Sequence, residues 1–382
     1  MSEEPKSLEQ QPSERKDPVV CSHNEWDPLE EVIVGSVLGA MYPEVSPILA
    51  ANGEPSWLAH YQGLMMEDEY IDAANEQLDE LVHVLESEGV SVRRPDPMPH
   101  NFDFKTPFWQ CKSGWNTANP RDLFLVVGDE IIECASPLRH RHFESLAYRR
   151  LFTSYFQRGA RWTSAPRPAL REPLYDHSFT AVPADECDPI RGKTLPEGAE
   201  HRWPITEHEP VFEAADFVRC GRDLFVQQSV VTNRLGIEWV RRHLGDAYRV
   251  HEIRTRCSAP FHIDTTFLPL APGKALVNPE WVRELPDCLK GWDLLEAPPP
   301  TYREGSPMAY PYFTSQWISM NVLSLDEERV FVDEQQTALI TRLRDWGFRP
   351  IPIAFDYVGL FGGSFHCVTL DVRRRGQLAS YC

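Results

Sequence analysis

Residues 71–92 read IDAANEQLDELVHVLESEGVSV. Ile71, Ala74, Leu78, Leu81 and Leu85 follow one another at alternating steps of three and four. That spacing is the apolar stripe of an amphipathic helix. Gly89 then stops the pattern, and Val90-Ser91-Val92 opens an extended run. Glycine suits the left-handed position just past a helix because it has no Cβ to clash. The stretch therefore predicts helix, glycine, strand, in that order.

The same punctuation returns four times. A helical segment over 143–158 stops at Gly159, before Ala160-Arg161-Trp162-Thr163. Another from Gly236 to Leu244 stops at Gly245, before Tyr248-Arg249-Val250. A short turn near Cys288 stops at Gly291, before Trp292-Asp293-Leu294-Leu295, and 336–346 stops at Gly347, before 348–353. Apolar strands alternate with these units at 29–35, 121–132, 222–228, 274–278 and 329–333. Two of them open with Arg-Asp-Leu-Phe, at 121–124 and 222–225. Ordinary α/β alternation in a doubly wound sheet produces a similar string. Recurrence at the scale of a whole module favours an α/β fold of five strand–helix–strand modules around an axis. Residues 365–372 are expected to pair with 29–35 and close the ring. The Pro-rich stretches 164–174, 183–204 and 297–311 read as loops on this scaffold.

Composition narrows the function. The chain has 382 residues, 42% hydrophobic and 25% charged, which is ordinary for a soluble protein. Its formal net charge of −19 repels phosphate backbones and anionic membranes and attracts cations. Nucleic acid and membrane are therefore not expected as partners. Nine cysteines, an odd number with no Cys-x-x-Cys pair, argue against a disulfide framework and against zinc sites of paired cysteines. Reduced thiols in a cytoplasm are the expectation. Residues 1–19 read as a disordered polar tail and 20–382 as one catalytic domain. His140 and His142 alternate with Arg139 and Arg141, which would repel a cation, so they read as surface polar residues. No glycine-rich phosphate cradle or dinucleotide fingerprint is present.

One short segment follows each predicted strand. These are Asn119-Pro120-Arg121-Asp122, Phe212-Glu213-Ala214-Ala215-Asp216, Pro260-Phe261-His262-Ile263-Asp264, Phe313-Thr314-Ser315 and Gly362-Gly363-Ser364-Phe365-His366-Cys367. Modules around an axis would bring all five to one pocket. Cys367 lies behind glycines that allow close approach. His262 can exchange a proton near neutral pH. Asp122, Asp216 and Asp264 would make the pocket acidic. A nucleophilic thiolate among carboxylates suits a cationic electrophile such as a guanidinium, whose forked N–H donors match carboxylates.

At these residues the sequence resembles the arginine:glycine amidinotransferases and their bacterial relatives. The likeness runs through 24–35 (NEWDPLEEVIVG), 92–95 (VRRP), 120–122 (PRD), 214–216 (AAD), 232–239 (TNRLGIEW), 262–264 (HID), 365–367 (FHC) and 371–376 (DVRRRG). It implies a pentein-type, five-fold pseudosymmetric α/β propeller. It implies Cys367 as the nucleophile that holds the amidino group, His262 as general acid and base, and Asp216 as the partner of His262. Asp122 and Asp264 would grip the guanidinium, with Thr314, Ser315 and Arg141 near the amino-acid carboxylate. The implied reaction is ping-pong: L-arginine gives its amidino group to Cys367, ornithine leaves, and an acceptor amine takes the group. The resemblance implies neither cofactor nor metal, and family members often form dimers.

Three positions depart from the glycine enzyme. Trp281 stands where it has Arg, Phe261 where it has Met, and Ala259 where it has Asn. An indole cannot replace a bidentate guanidinium. The expected acceptor is therefore a larger or less anionic amine than glycine, from a secondary-metabolite pathway. Three alternatives are a glycine amidinotransferase making guanidinoacetate, a hydrolase of the arginine deiminase type, and a binding-only paralogue. Intact Cys367, His262 and Asp216 weigh against the last.

Overall fold

The stripe over 71–85 forms the buried face of helix α1 (Asp68–Ser87), and all five of its apolar residues are buried. In the computed structural model, residues 18–51, 58–179, 194–309 and 315–382 are described. Three further helices match the expected segments: α2 (Arg149–Gln157), α3 (Arg234–Leu244) and α4 (Thr337–Asp345). The segment over 143–158 begins as a 3-10 turn, Glu144–Tyr148, before α2. Only a 3-10 turn, Asp287–Leu289, precedes Gly291. All five stopping glycines have positive φ: +85° at Gly89, +105° at Gly159, +59° at Gly245, +94° at Gly291 and +98° at Gly347. That conformation is strained for any residue with a Cβ.

Among the described residues, five three-stranded sheets share one topology. The first joins β1 (Leu29–Val34), β2 (Ser91–Arg93) and β15 (Thr369–Arg374). The second holds β3 (Phe124–Val127), β4 (Glu130–Glu133) and β5 (Arg161–Ser164). The third holds β6 (Phe217–Cys220), β7 (Asp223–Val226) and β8 (Arg249–Glu252). The fourth holds β9 (Phe267–Ala271), β10 (Lys274–Val277) and β11 (Asp293–Glu296). The fifth holds β12 (Leu323–Ser324), β13 (Arg329–Asp333) and β14 (Arg349–Ile353). In each, an antiparallel pair is followed by a crossover to a parallel third strand. The expected pairing across the chain is present: β15 lies antiparallel to β1, with Val34 opposite Thr369.

Two expectations change in detail. The Arg-Asp-Leu-Phe repeat does not mark equivalent places. Arg121–Leu123 belongs to a helical turn, Pro120–Leu123, ahead of β3, whereas Asp223–Phe225 lies in β7, the second strand of its hairpin. The strand expected over 365–372 begins only at Thr369, because Phe365–Val368 form a turn.

A short turn precedes the hairpin in each module: Pro120–Leu123, Ala214–Asp216, Ile263–Thr265, Gln316–Met320 and the Phe365–Val368 turn. The first four neighbour one another in chain order, and the first also meets β15. A buried ionic lattice fastens this inner region. Arg219 donates to Glu25 (2.6 Å) and Asp371 (2.7 Å), Arg374 donates to Asp371 (2.6 Å), and Arg121 bonds both carboxylates. Burial would raise the Asp371 pKa, but Arg121, Arg219 and Arg374 hold it well below the usual carboxylate range. Removing one partner of such a set leaves a buried charge uncompensated, at a cost of roughly 3–5 kcal/mol. No helix among the described residues is long and apolar enough to cross a membrane.

Candidate active site

Three of the residues that start an inner turn, Asn119, Glu213 and His262, make no side-chain capping bond to that turn, whereas Ser315 does. Asn119, Glu213, His262 and Ser315 occupy the N-cap positions of the four helical turns. Glu213, His262 and Ser315 have extended backbones there. Asp122, Asp216 and Asp264 come from within the turns, and Cys367 from the fifth. Cys367, Asp122, Asp216, Asp264, Glu213 and His262 are all buried.

Cys367 Sγ lies 3.4 Å from Asp264 Oδ2 and accepts from Asn321 Nδ2 at 3.1 Å. Ligand-type atoms of Cys367, His262 and Asp122 fall within 4.8 Å of one another. Gly363 permits this crowding. A Cβ at Gly363 would sit 2.2 Å from Asn119 Oδ1 and 2.7 Å from Cys367 Cβ. Burial, with the charges of Asp264 and Asp122, pushes the Cys367 thiol up to about 12, against the His262 hydrogen bond.

The side chain bonded to His262 differs from the expected one. His262 Nε2 lies 2.9 Å from Glu213 Oε2, and its Nδ1 lies 3.6 Å from Asp122 Oδ1. Asp216 instead accepts from Ser229 Oγ at 2.5 Å. The partner of His262 is thus Glu213, and this corrects the assignment of Asp216. The two acids sit one helical turn apart, and the N-cap position, not the third residue of the turn, faces the imidazole. Burial works against charge on His262, but Asp122, the Cys367 hydrogen bond and Glu213 hold its pKa well above the usual histidine value. Burial raises Glu213, yet Arg141 and His262 outweigh it and keep Glu213 low. For Asp216 burial outweighs the charge of His262 and the Ser229 hydrogen bond, and pushes it up to about 8.

Arg141 also departs from expectation. It does not stand open to a substrate carboxylate. It donates to Asp122 (2.7 Å), Glu144 (2.9 Å) and Glu213 (3.3 Å), and to the Asn119 carbonyl (3.3 Å). It is the fixed counter-charge of the acidic cluster. His140 is buried edge-on to Trp115 and is therefore not a surface residue, whereas His142 is half-buried beside Arg167. Burial and Arg141 push His140 down to about 3.

The remaining expected residues divide. Thr314 lies outside the described residues. Ser315 caps its turn, accepting from Trp317 N at 3.0 Å. Phe261 packs edge-on to His262 at 5.4 Å, and Ala259 is buried in the same apolar cluster. Trp281 is buried, 6.4 Å from the Trp317 ring. Arg283, two residues on, donates to the exposed Ala199 carbonyl at 3.3 Å.

Sequence reasoning also missed Asn321 and the pairing of His366. His366 Nδ1 lies 3.0 Å from Asp264 Oδ2 and its Nε2 lies 3.2 Å from Glu25 Oε2. Burial would raise Asp264, but the His366 bond and charge bring it below its ordinary value. Two buried acceptors, Asp122 Oδ1 and Asp264 Oδ1, find no hydrogen-bond donor among the described residues. Buried polar atoms are rarely left so. A metal on Asp122, His262 and Cys367 would compete with Arg141 and with a ring held charged. A planar cation carrying several N–H donors satisfies the same acceptors without that conflict.

No protein-family model matches the chain. It is 44% identical over 366 residues to the L-arginine:L-lysine amidinotransferase of Pseudomonas savastanoi pv. phaseolicola, covering 95% of this chain and 96% of that one. It is 42% identical over 377 residues to the mitochondrial glycine amidinotransferase of Gallus gallus, covering 97% and 86%. Among solved structures, an amidinotransferase from the saxitoxin biosynthetic pathway of Microseira wollei superposes with a TM-score of 0.85. The two share 50% identity, over 95% of this chain and 99% of that one. Likeness at this level along nearly the whole described length makes the chain a member of the amidinotransferase family of transferase enzymes.

Proposed function

We propose that the protein transfers the amidino group of L-arginine through a covalent Cys367–amidino intermediate to an acceptor amine larger than glycine. The observation that carries the reading is the pair of unsatisfied buried oxygens, Asp122 Oδ1 and Asp264 Oδ1, beside the Cys367–His262 pair. Arginine enters as a cation, neutralises the two carboxylates that raise the thiol, and lets the Sγ proton leave to solvent. The thiolate forms a bond to the guanidino carbon. The C–N bond to ornithine then breaks, and charged His262 gives its proton to that nitrogen. The acceptor amine attacks the Cys367-bound carbon and gives a proton to neutral His262. The C–S bond breaks, the guanidino product leaves, and the thiolate returns. Glu213 orients the ring and offsets its charge.

The acceptor reading rests on Trp281 and Arg283: one is an indole in the apolar core, and the other is bonded to an exposed carbonyl. Neither residue thereby offers a guanidinium to a small amino acid's carboxylate. Phe261 against the His262 ring and Ala259 in the apolar cluster beside it favour a less anionic amine, of a secondary-metabolite pathway in the cytoplasm. The five like sheets, with inner turns that neighbour one another, support a five-fold pseudosymmetric α/β propeller, and a homodimer accords with the family.

The test is to mix the protein with L-arginine alone, quench, and weigh the Cys367 peptide. A gain of one amidino group is expected, lost in Cys367→Ala, with sustained ornithine release only when an amine is added. Citrulline from arginine alone, or turnover by Cys367→Ala, would overturn the reading.

A further inference from the structure

The turn that carries Cys367 is held by a side chain from the neighbouring module. Asn321 follows the 3-10 helix Gln316–Met320 and is buried. Its Oδ1 accepts from two consecutive backbone N–H groups, His366 at 2.9 Å and Cys367 at 3.0 Å. Those two donors settle which way the amide faces, since an NH₂ could not accept from them. Nδ2 is then the group aimed at Cys367 Sγ, at 3.1 Å.

The surroundings of the thiol make this donor matter. Burial and the carboxylates of Asp264 and Asp122 all disfavour the thiolate. Against them stand His262 and the Asn321 amide. His262 changes charge during a proton-transfer cycle, whereas an amide N–H does not. A hydrogen bond to an ionised acceptor is stronger than one to its neutral form, so the donor favours S⁻ over S–H.

We propose that Asn321 is a catalytic residue that stabilises the Cys367 thiolate through Nδ2 while its Oδ1 aims the nucleophile's turn. The proposal rests on the reading of Cys367 as the nucleophile. One amide thus does both jobs, and sulfur keeps a fixed donor through both halves of the reaction. When the thiolate bonds to carbon, the negative charge leaves sulfur and this bond weakens. When the C–S bond breaks, it strengthens again.

The experiment measures the rate at which iodoacetamide alkylates Cys367, by peptide mass, as a function of pH below the thiol's ionisation. Full-length wild type, Asn321→Ala and Asn321→Asp are compared, with melting temperatures recorded. Alkylation there is proportional to the thiolate fraction. Hydrogen bonds to charged groups carry about 1.5–3 kcal/mol, so Asn321→Ala should alkylate roughly ten- to a hundredfold more slowly at fixed pH. Asn321→Asp keeps an acceptor for the two backbone N–H groups but turns a second oxygen towards sulfur. It should melt closer to wild type than Asn321→Ala, yet alkylate no faster than it. A purely structural Asn321 reverses that order, with Asn321→Asp alkylating near the wild-type rate, and that result overturns the proposal. Retained turnover by Cys367→Ala would instead sink the nucleophile reading, and the alkylation comparison does not depend on it.

Discussion

Glu213 Oε2 lies 2.9 Å from His262 Nε2, while Asp216, one helical turn along, faces Ser229. Two acids three residues apart thus occupy different electrostatic worlds. Glu213 is held low by Arg141 and His262, and Asp216 is raised by burial alone among its larger influences.

If Glu213 sets the orientation and charge of His262, Glu213→Gln should slow both half-reactions. General acid–base assistance is worth roughly 10²–10⁴-fold, and most of that range should be lost. Asp216→Asn should cost less than about tenfold, because the imidazole keeps its partner. Ornithine release and amidino transfer, each measured in single turnover, check the contrast. A larger loss in Asp216→Asn than in Glu213→Gln would restore Asp216 as the partner.

Asp216 should instead report through stability. Its carboxyl is pushed up to about 8 in the fold, against an ordinary value near ~3.9 when unfolded. Between those values the unfolded chain releases a proton that the folded chain keeps. Ionisation then favours unfolding, and stability falls as pH rises through this window, by at most about 1.4 kcal/mol per pH unit. Asp216→Asn removes that slope. Urea unfolding at acidic and alkaline ends of the window should show the variant gaining on wild type as pH rises. A gap independent of pH would contradict the burial argument.

Gly363→Ala places a Cβ against Asn119 Oδ1 and Cys367 Cβ. Overpacking of this kind costs about 1–3 kcal/mol and moves what it touches. Amidino-adduct formation should fall at least as steeply as stability, because the displaced atom belongs to the nucleophile. A variant with wild-type adduct rate would mean the turn yields without moving sulfur.

For the acceptor, glycine should not give the highest kcat/KM when tested beside lysine, aminocyclitols and long-chain amino ketones with arginine as donor. Loss of a charged contact to a carboxylate costs about 1.5–3 kcal/mol, or roughly ten- to a hundredfold. Glycine at the top of that panel would make this a glycine amidinotransferase and the reading of Trp281 wrong.

The module boundaries were legible because glycines at positive φ and the 71–85 stripe are local signals. The β1–β15 pairing followed from module count and is present in the register Val34 to Thr369. Cys367, His262, Asp122 and Asp264 could be gathered because each lies in, or at the start of, the inner turn of its module. Glu213 escaped although it shares that place. It and His262 are both N-caps of inner turns, so aligning the modules on those turns would have singled it out. Arg141 and Asn321 carried no comparable signal. One depends on which acids a buried guanidinium meets, the other on a contact between modules, and neither has a local spacing. The Arg-Asp-Leu-Phe repeat misled because identical letters fell on a helical turn in one module and a strand in another.

The pairing of β1 with β15 also constrains how the protein is made. During synthesis β1 can find β2 early, but its other edge waits for residues emerging more than three hundred positions later. Loop-closure entropy grows only logarithmically with length, so the delay costs little in final stability. It does cost time, and a waiting strand edge invites wrong partners, so chaperone dependence and slow refolding are the natural consequence. Cys367 sits in the turn immediately before β15, and the docking that relieves the waiting edge also delivers the thiol. A half-built molecule therefore holds its carboxylates and imidazole without a nucleophile, and reactivity towards guanidines arrives only with the final act of folding.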